Sequence, residues 1–167
     1  MPTEKLLKLD SFLSLFVIQF LNVINDNIFK NAVIVYIVFY GLSLHKLDTA
    51  MTTNIAMFVF ILPLFIFASY SGKFADYYSK TKLIRIIKTC EIGITAVCVI
   101  SILTTNIWLM MLGIFLLTTH SAFFGPIKYS ILPHYFSDRN KLLLANSLIE
   151  VGSFIAILIG QFIGSWF

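Results

Sequence analysis

Seven polar side chains stand together early in the chain: Gln19, Asn22, Asn25, Asp26, Asn27, Lys30 and Asn31. They interrupt a run that is otherwise apolar from about Phe12 to Tyr40. One carboxylate, one ammonium and five carboxamides supply donors and acceptors but no activated nucleophile, so the chemistry they suit is holding a substrate or handling a proton. A segment of 29 residues at helical rise spans roughly 43 Å, enough to cross a hydrocarbon core of about 30 Å. Asp26 falls at its midpoint.

On a helical wheel Gln19, Asn22, Asp26 and Lys30 lie within an arc of roughly 80°. Leu21, Ile24, Ile28, Ala32 and Val35 gather on the remaining face, which predicts one face toward lipid and the other toward protein or water. A charge at bilayer depth costs about 2.5–3.5 kcal/mol on insertion scales and normally faces a bundle interior or an aqueous cavity. Two readings of the Asp26 and Lys30 spacing follow: a paired site for substrate or proton, or an i,i+4 pair that only holds helices together, since Asn and Gln also join helices in membranes.

The elements that must position this stripe are apolar helices. Of the 167 residues, 59% are hydrophobic and 12% charged, against about 25% charged in soluble domains. With a mean hydropathy of +0.91, the composition specifies an all-α integral membrane protein. Cys90 and Cys98 lie eight apart in one apolar segment, with no metal-ligand spacing and no disulfide framework, and read as buried, inert thiols. The net charge of +4 sits largely in short connections, without the basic and aromatic interleaving of a nucleic-acid surface. Lys5 and Lys8 precede the first apolar run as in a signal peptide, but no small-x-small cleavage site follows, so an uncleaved first span is expected.

Five spans are predicted, at about 12–40, 51–70, 84–103, 107–124 and 142–167, all in one domain over 1–167. Pro63 is expected to kink the second span without breaking it. Gly125-Pro126 is expected to end the fourth, and Ser137 or Asn140 to cap the fifth. Glu91, about two turns into the third span, reads as interfacial or as pairing with the adjoining loop. His120 reads as a helix-helix hydrogen bonder or a proton relay, and Trp108 fits an aromatic belt. The fifth span carries Glu150, a second candidate buried carboxylate, and Gly160-x-x-x-Gly164, a close-packing signature.

Lys5, Lys8, Lys73, Lys80, Lys82, Arg85, Lys88, Lys128, Arg139 and Lys141 fall on one side of this arrangement and Lys46 on the other. The positive-inside rule makes the first side, and the N-terminus, cytoplasmic. An odd number of helices stopping at Trp166-Phe167 is expected to be an incomplete bundle, from a truncated or split chain.

The segment Gly72 to Lys82 resembles the signature G-x-x-x-D-R-x-G-R-[RK] between helices 2 and 3 of the major facilitator superfamily. Gly72, Asp76, Lys80 and Lys82 match, whereas Tyr77 stands in place of Arg and Ser79 in place of Gly. Gln19-Phe20-(x4)-Asn25-Asp26-Asn27-(x2)-Lys30-Asn31, together with Gly125-Pro126-Ile127-Lys128-Tyr129-(x2)-Leu132-Pro133, resembles the lysophospholipid transporter branch of that superfamily, also found fused to acyltransferase and acyl-carrier-protein synthetase domains. The resemblance implies the N-terminal bundle without its sixth helix, and a multi-pass protein of the bacterial inner membrane. It further implies flipping or uptake of lysophospholipid for re-acylation in the cytoplasm. Gln19, Asn22, Asn25, Asp26, Asn27, Lys30 and Glu150 would then line the path, and Gly72, Asp76, Lys80 and Lys82 would form a conformational-switch loop. The partners implied are membrane lipids, the lysophospholipid, and a second transporter half or an acyltransferase/synthetase, with no cofactor, metal or nucleic acid. A truncated, non-transporting remnant or assembly subunit is the alternative. An intramembrane enzyme is disfavoured, because the chain has no H-x-x-x-x-D and no G-x-S-x-G.

Overall fold

The computed structural model describes residues 10–45 and 47–166, without the side chains of Ala75, Asp76 and Thr81. Lys5, Lys8 and Lys46, which bear on orientation, lie outside the described residues, as does the side chain of Asp76. Among the described residues five helices make up the fold: α1 (Asp10–Tyr40), α2 (Thr49–Tyr77), α3 (Lys80–Leu103), α4 (Ile107–Tyr135) and α5 (Arg139–Gly164). Each contains a stretch long and apolar enough to cross a membrane, and the chain is a multi-pass membrane protein.

Local chemistry sets the boundaries. Gly41, at φ +60°, takes the left-handed conformation that follows the end of α1. The Asp48 side chain accepts from the Met51 amide, and Asn106 Oδ1 accepts from the amides of Trp108 and Leu109, starting α2 and α4. The start of α5 differs from expectation: its cap is Asp138, whose carboxylate accepts from the Asn140 amide at 2.9 Å. A carboxylate at a helix N-terminus also meets the positive end of the helix dipole, which neither Ser137 nor Asn140 offers.

α2 runs through Pro63 as expected. α4 also runs through Gly125-Pro126 and Pro133 to Tyr135, well past the predicted end. Ile127, Ile131 and Leu132 continue the helical spacing and are buried, so apolar packing outweighs the one backbone hydrogen bond lost at each proline. The predicted switch loop is likewise largely helical: Gly72 and Asp76 lie in α2, Lys80 opens α3, and only Tyr78-Ser79 connects them. α3 thus begins four residues before the predicted third span and takes in Lys80 and Lys82 as well as Arg85 and Lys88.

α1 packs along α5, α2 along α4, and α3 against α4, with α1 also crossing α4 and α2. The α1–α5 pairing corrects the expectation that the apolar face of α1 meets lipid. Methyl groups added at Gly160 and Gly164 would lie 2.7 Å and 2.5 Å from the carbonyl oxygens of Ile24 and Ile28. Only glycine allows two helices this close, and α5 thereby occupies the face that carries Ile24 and Ile28. Leu21, 57% exposed, remains outward. Two apolar cores result. One joins Phe12, Leu15, Phe124, Ile131 and Ile149, and the other joins Phe29, Ile37, Cys98, Met110 and Ile114. Cys98 is buried as expected, whereas Cys90 is exposed.

Candidate functional site

Between the two cores lies a polar layer. In α1 it occupies the turns from Gln19 to Lys30, and in α4 those from Thr118 to Ser121, so the cores above and below fix its depth. Gln19, Asn22, Asp26, Asn27, Lys30, Thr118, His120 and, one core-turn further along α4, Lys128 are all buried.

Asp26 is 7% exposed. Its Oδ2 accepts from the Ser121 hydroxyl of α4 and, at 3.4 Å, from the Asn22 carboxamide one turn back along α1. Asn22 Nδ2 also donates to Ser121 Oγ at 2.9 Å. The second oxygen, Oδ1, is buried and has no hydrogen-bond partner among the described residues. A carboxylate accepts through both oxygens, and a buried one left half-used costs stability unless something else completes it.

The expected pairing of Asp26 with Lys30 is not what the structure shows. Lys30 donates to Asn27 Oδ1 at 3.0 Å and lies 4.8 Å from the centre of the Phe60 ring. The i,i+4 geometry competes here with a hydroxyl from α4 on the acid and with an aromatic face from α2 on the base, and both competitors win. Of the other carboxamides, Gln19 and Asn31 tie α1 to α5, and Asn27 bonds within α1. Gln19 donates to Ser153 Oγ at 3.2 Å, Asn27 to the Val23 carbonyl at 2.9 Å, and Asn31 to the Gln161 carbonyl at 3.0 Å.

A cavity of about 160 Å³ opens among α1, α2, α4 and α5, lined by Gln19, Asn22, Asp26, Phe60, Ser121 and Lys128 among others. Lys128 was read as part of a loop, yet it is 7% exposed and its ammonium lies 4.7 Å from the Tyr129 ring centre. Among the described residues neither Lys30 nor Lys128 makes an ion pair. Asp26, with one unpartnered carboxylate oxygen, and Lys128, without an ion pair, both line the cavity, and together they complement a group carrying one positive and one negative charge.

Two further residues were undervalued. Lys88, counted only among the basic residues that set orientation, donates to Glu91 Oε2 at 2.7 Å and to Asn22 Oδ1 at 2.8 Å. Glu91 approaches His120 Nε2 at 3.6 Å, and neither ring nitrogen of His120 has a hydrogen-bond partner. The i,i+3 spacing of Lys88 and Glu91 was the available signal. Asn25 falls on the other side of α1, where with Leu21, Lys88, Glu91 and Thr95 it lines a lateral cleft of about 480 Å³. Glu150 is exposed, contrary to the expectation of a second buried carboxylate. By helical spacing it shares a flank of α5 with Ser153 and Ile157, and Ile157 lines the central cavity. Its place is therefore the margin and not the buried layer.

The chain resembles curated transporters. It is 28% identical over 155 residues to the lysophospholipid transporter of Salmonella arizonae, covering 91% of this chain and 35% of that protein. The lysophospholipid transporter of Serratia proteamaculans is 27% identical over 165 residues, or 98% of this chain and 38% of that protein. That of Photorhabdus laumondii is 28% identical over 113 residues, 67% of this chain and 26% of its own length. The chain therefore spans between a quarter and two-fifths of the length of these relatives. No family model and no solved structure matches it. The resemblance drawn from the motifs on α1 and α4 leads to the same transporters.

Proposed function

We propose that this chain forms the headgroup-binding bundle of a transporter that moves lysophospholipids across the bacterial inner membrane, for re-acylation on the cytoplasmic side. The observation that carries this reading is the half-satisfied carboxylate of Asp26 in a buried cavity that also contains Lys128. Asp26 Oδ1 would accept from the ammonium of an ethanolamine headgroup, and Lys128 would meet the phosphate. Similarity to three lysophospholipid transporters supports the substrate class. Gln19, Asn22 and Asn27 line this cavity, Lys30 donates to Asn27 beside it, Asn25 borders the lateral cleft, and Glu150 stands at the margin. The junction bearing Gly72, Asp76, Lys80 and Lys82 would act as a switch against a second bundle. The clustering of Lys73, Lys80, Lys82, Arg85, Arg139 and Lys141 at one end of the helices supports, by the positive-inside rule, a cytoplasmic position for that end and for the N-terminus. A single cysteine at position 80 should then react with an impermeant maleimide only after the cytoplasmic face is opened. Labelling of intact cells would reverse the orientation.

The test of the site is equilibrium binding of radiolabelled palmitoyl lysophosphatidylethanolamine to the purified chain in detergent. Asp26→Asn is nearly isosteric, keeps an acceptor for Ser121 and places an amide or a neutral oxygen where the ammonium would sit. Binding should weaken by about thirtyfold or more, the scale for removing one charge of a buried pair, with membrane levels retained. Unchanged affinity would remove Asp26 from the site, and loss of binding only in proportion to loss of folded protein would make the residue structural.

A further inference from the structure

We propose that the Lys88–Glu91 pair of α3 is a positioning device for Asp26, acting through the Asn22 carboxamide. This rests on the reading that Asp26 holds the lysolipid ammonium. α3 contributes no residue to the lining of the central cavity. Its route to the site is a directed chain of hydrogen bonds. A lysine ammonium has donors and no acceptor, so the group of Asn22 that faces Lys88 must be its oxygen, here at 2.8 Å. That choice turns the NH2 of Asn22 toward α4, where it donates to Ser121 Oγ at 2.9 Å and to Asp26 Oδ2 at 3.4 Å. With its lone pair taken by Asn22, Ser121 directs its single O–H to the same Oδ2. Two donors converge on one oxygen of Asp26 and leave the other, Oδ1, open.

Turning the Asn22 amide over reverses every link. Its oxygen would then draw the Ser121 hydroxyl away, and Asp26 would lose both donors and its fixed orientation. Lys88 prevents this. Glu91 holds Lys88 in place at 2.7 Å, and His120 backs Glu91 at 3.6 Å. Without Glu91, the lysine has a cleft of about 480 Å³ beside it into which its stem can swing.

The experiment compares two probes on the purified full chain: palmitoyl lysophosphatidylethanolamine, which carries the ammonium, and palmitoyl lysophosphatidic acid, which lacks it. Lys88→Met with Glu91→Leu removes both charges together, so no unpaired charge is stranded, a replacement that membrane and soluble interiors generally tolerate. Affinity for the ethanolamine lipid should fall about tenfold, the scale of one charge-assisted hydrogen bond, with affinity for the phosphatidic lipid unchanged. Lys88→Arg keeps a donor to Asn22 and should retain the selectivity of the wild type. Should the double variant fail to reach the membrane, Glu91→Gln, which preserves shape, gives a smaller loss of the same selectivity. Wild-type selectivity in the double variant, or in Glu91→Gln where only that variant is obtained, would overturn the proposal, as would equal weakening of both lipids. If Asp26→Asn weakens the ethanolamine lipid while the α3 variants do not, only the positioning role fails. If Asp26→Asn has no effect, the site reading fails first.

Discussion

The two flanks of α1 are built in opposite ways. Toward α5 the helices meet at backbone distance: Gly160 and Gly164 lie under the carbonyls of Ile24 and Ile28, and Asn31 donates to the Gln161 carbonyl. Toward α4 they are joined by side chains around a cavity, and among the described residues one buried oxygen of a residue that lines it, Asp26 Oδ1, lacks a hydrogen-bond partner. A seam with no side-chain volume to give cannot rearrange without collision, and it fixes α1 on α5 as one body. A buried carboxylate oxygen left unpaired is rare in folded proteins, so Asp26 on the other flank is the place where a ligand would complete the structure. One helix thus serves as a rigid support on one side and as a binding wall on the other.

Substitutions on the two flanks should separate stability from binding. The largest effect is expected for Gly164→Leu, because its first carbon alone would stand 2.5 Å from the Ile28 carbonyl oxygen and 2.9 Å from Asn31 Cβ. Neither neighbour is a flexible chain end that can move aside. A loss of about 3 kcal/mol or more is expected from such overpacking, seen as a large fall in thermal stability in detergent and in membrane level. The protein that does fold should bind lysophosphatidylethanolamine normally. Asp26→Asn should do the reverse, and a binding defect in Gly164→Leu equal to that of Asp26→Asn would mean that the two flanks are not independent.

The fold was largely legible because apolar length and the polar stripe of α1 are properties of sequence alone. Five spans and the burial of Gln19, Asn22, Asp26 and Lys30 follow from them. What was not legible depends on partners from distant helices. Nothing near Asp26 in sequence announces that Ser121, 95 residues away, takes the place of Lys30. Lys128 was hidden by Gly125-Pro126, a pair that ends most helices in water but that neighbouring helices accommodate in a membrane bundle. Lys88 was read as an orientation signal and Glu91 as interfacial; that Lys88 reaches Asn22 of α1 while Glu91 meets His120 of α4 depends on helix packing and not on local sequence.

The smallest effect is expected for Glu150→Gln, which compares the two acidic residues that the sequence offered as buried carboxylates. Asp26 is buried, receives two donors on one oxygen and keeps the other free. Glu150 is exposed, and no hydrogen bond or ion pair to it is found among the described residues. A charge open to solvent or headgroups acts on the cavity through a high dielectric and through salt, so its influence on a bound ammonium is weak. Affinity for lysophosphatidylethanolamine should change by less than about threefold, in line with exposed charge pairs worth 0–1 kcal/mol, and the change should disappear at high ionic strength. A loss as large as that of Asp26→Asn, persisting in salt, would show that Glu150 is enclosed with the substrate when the site is occupied, and would move the binding wall from the α1–α4 flank onto α5.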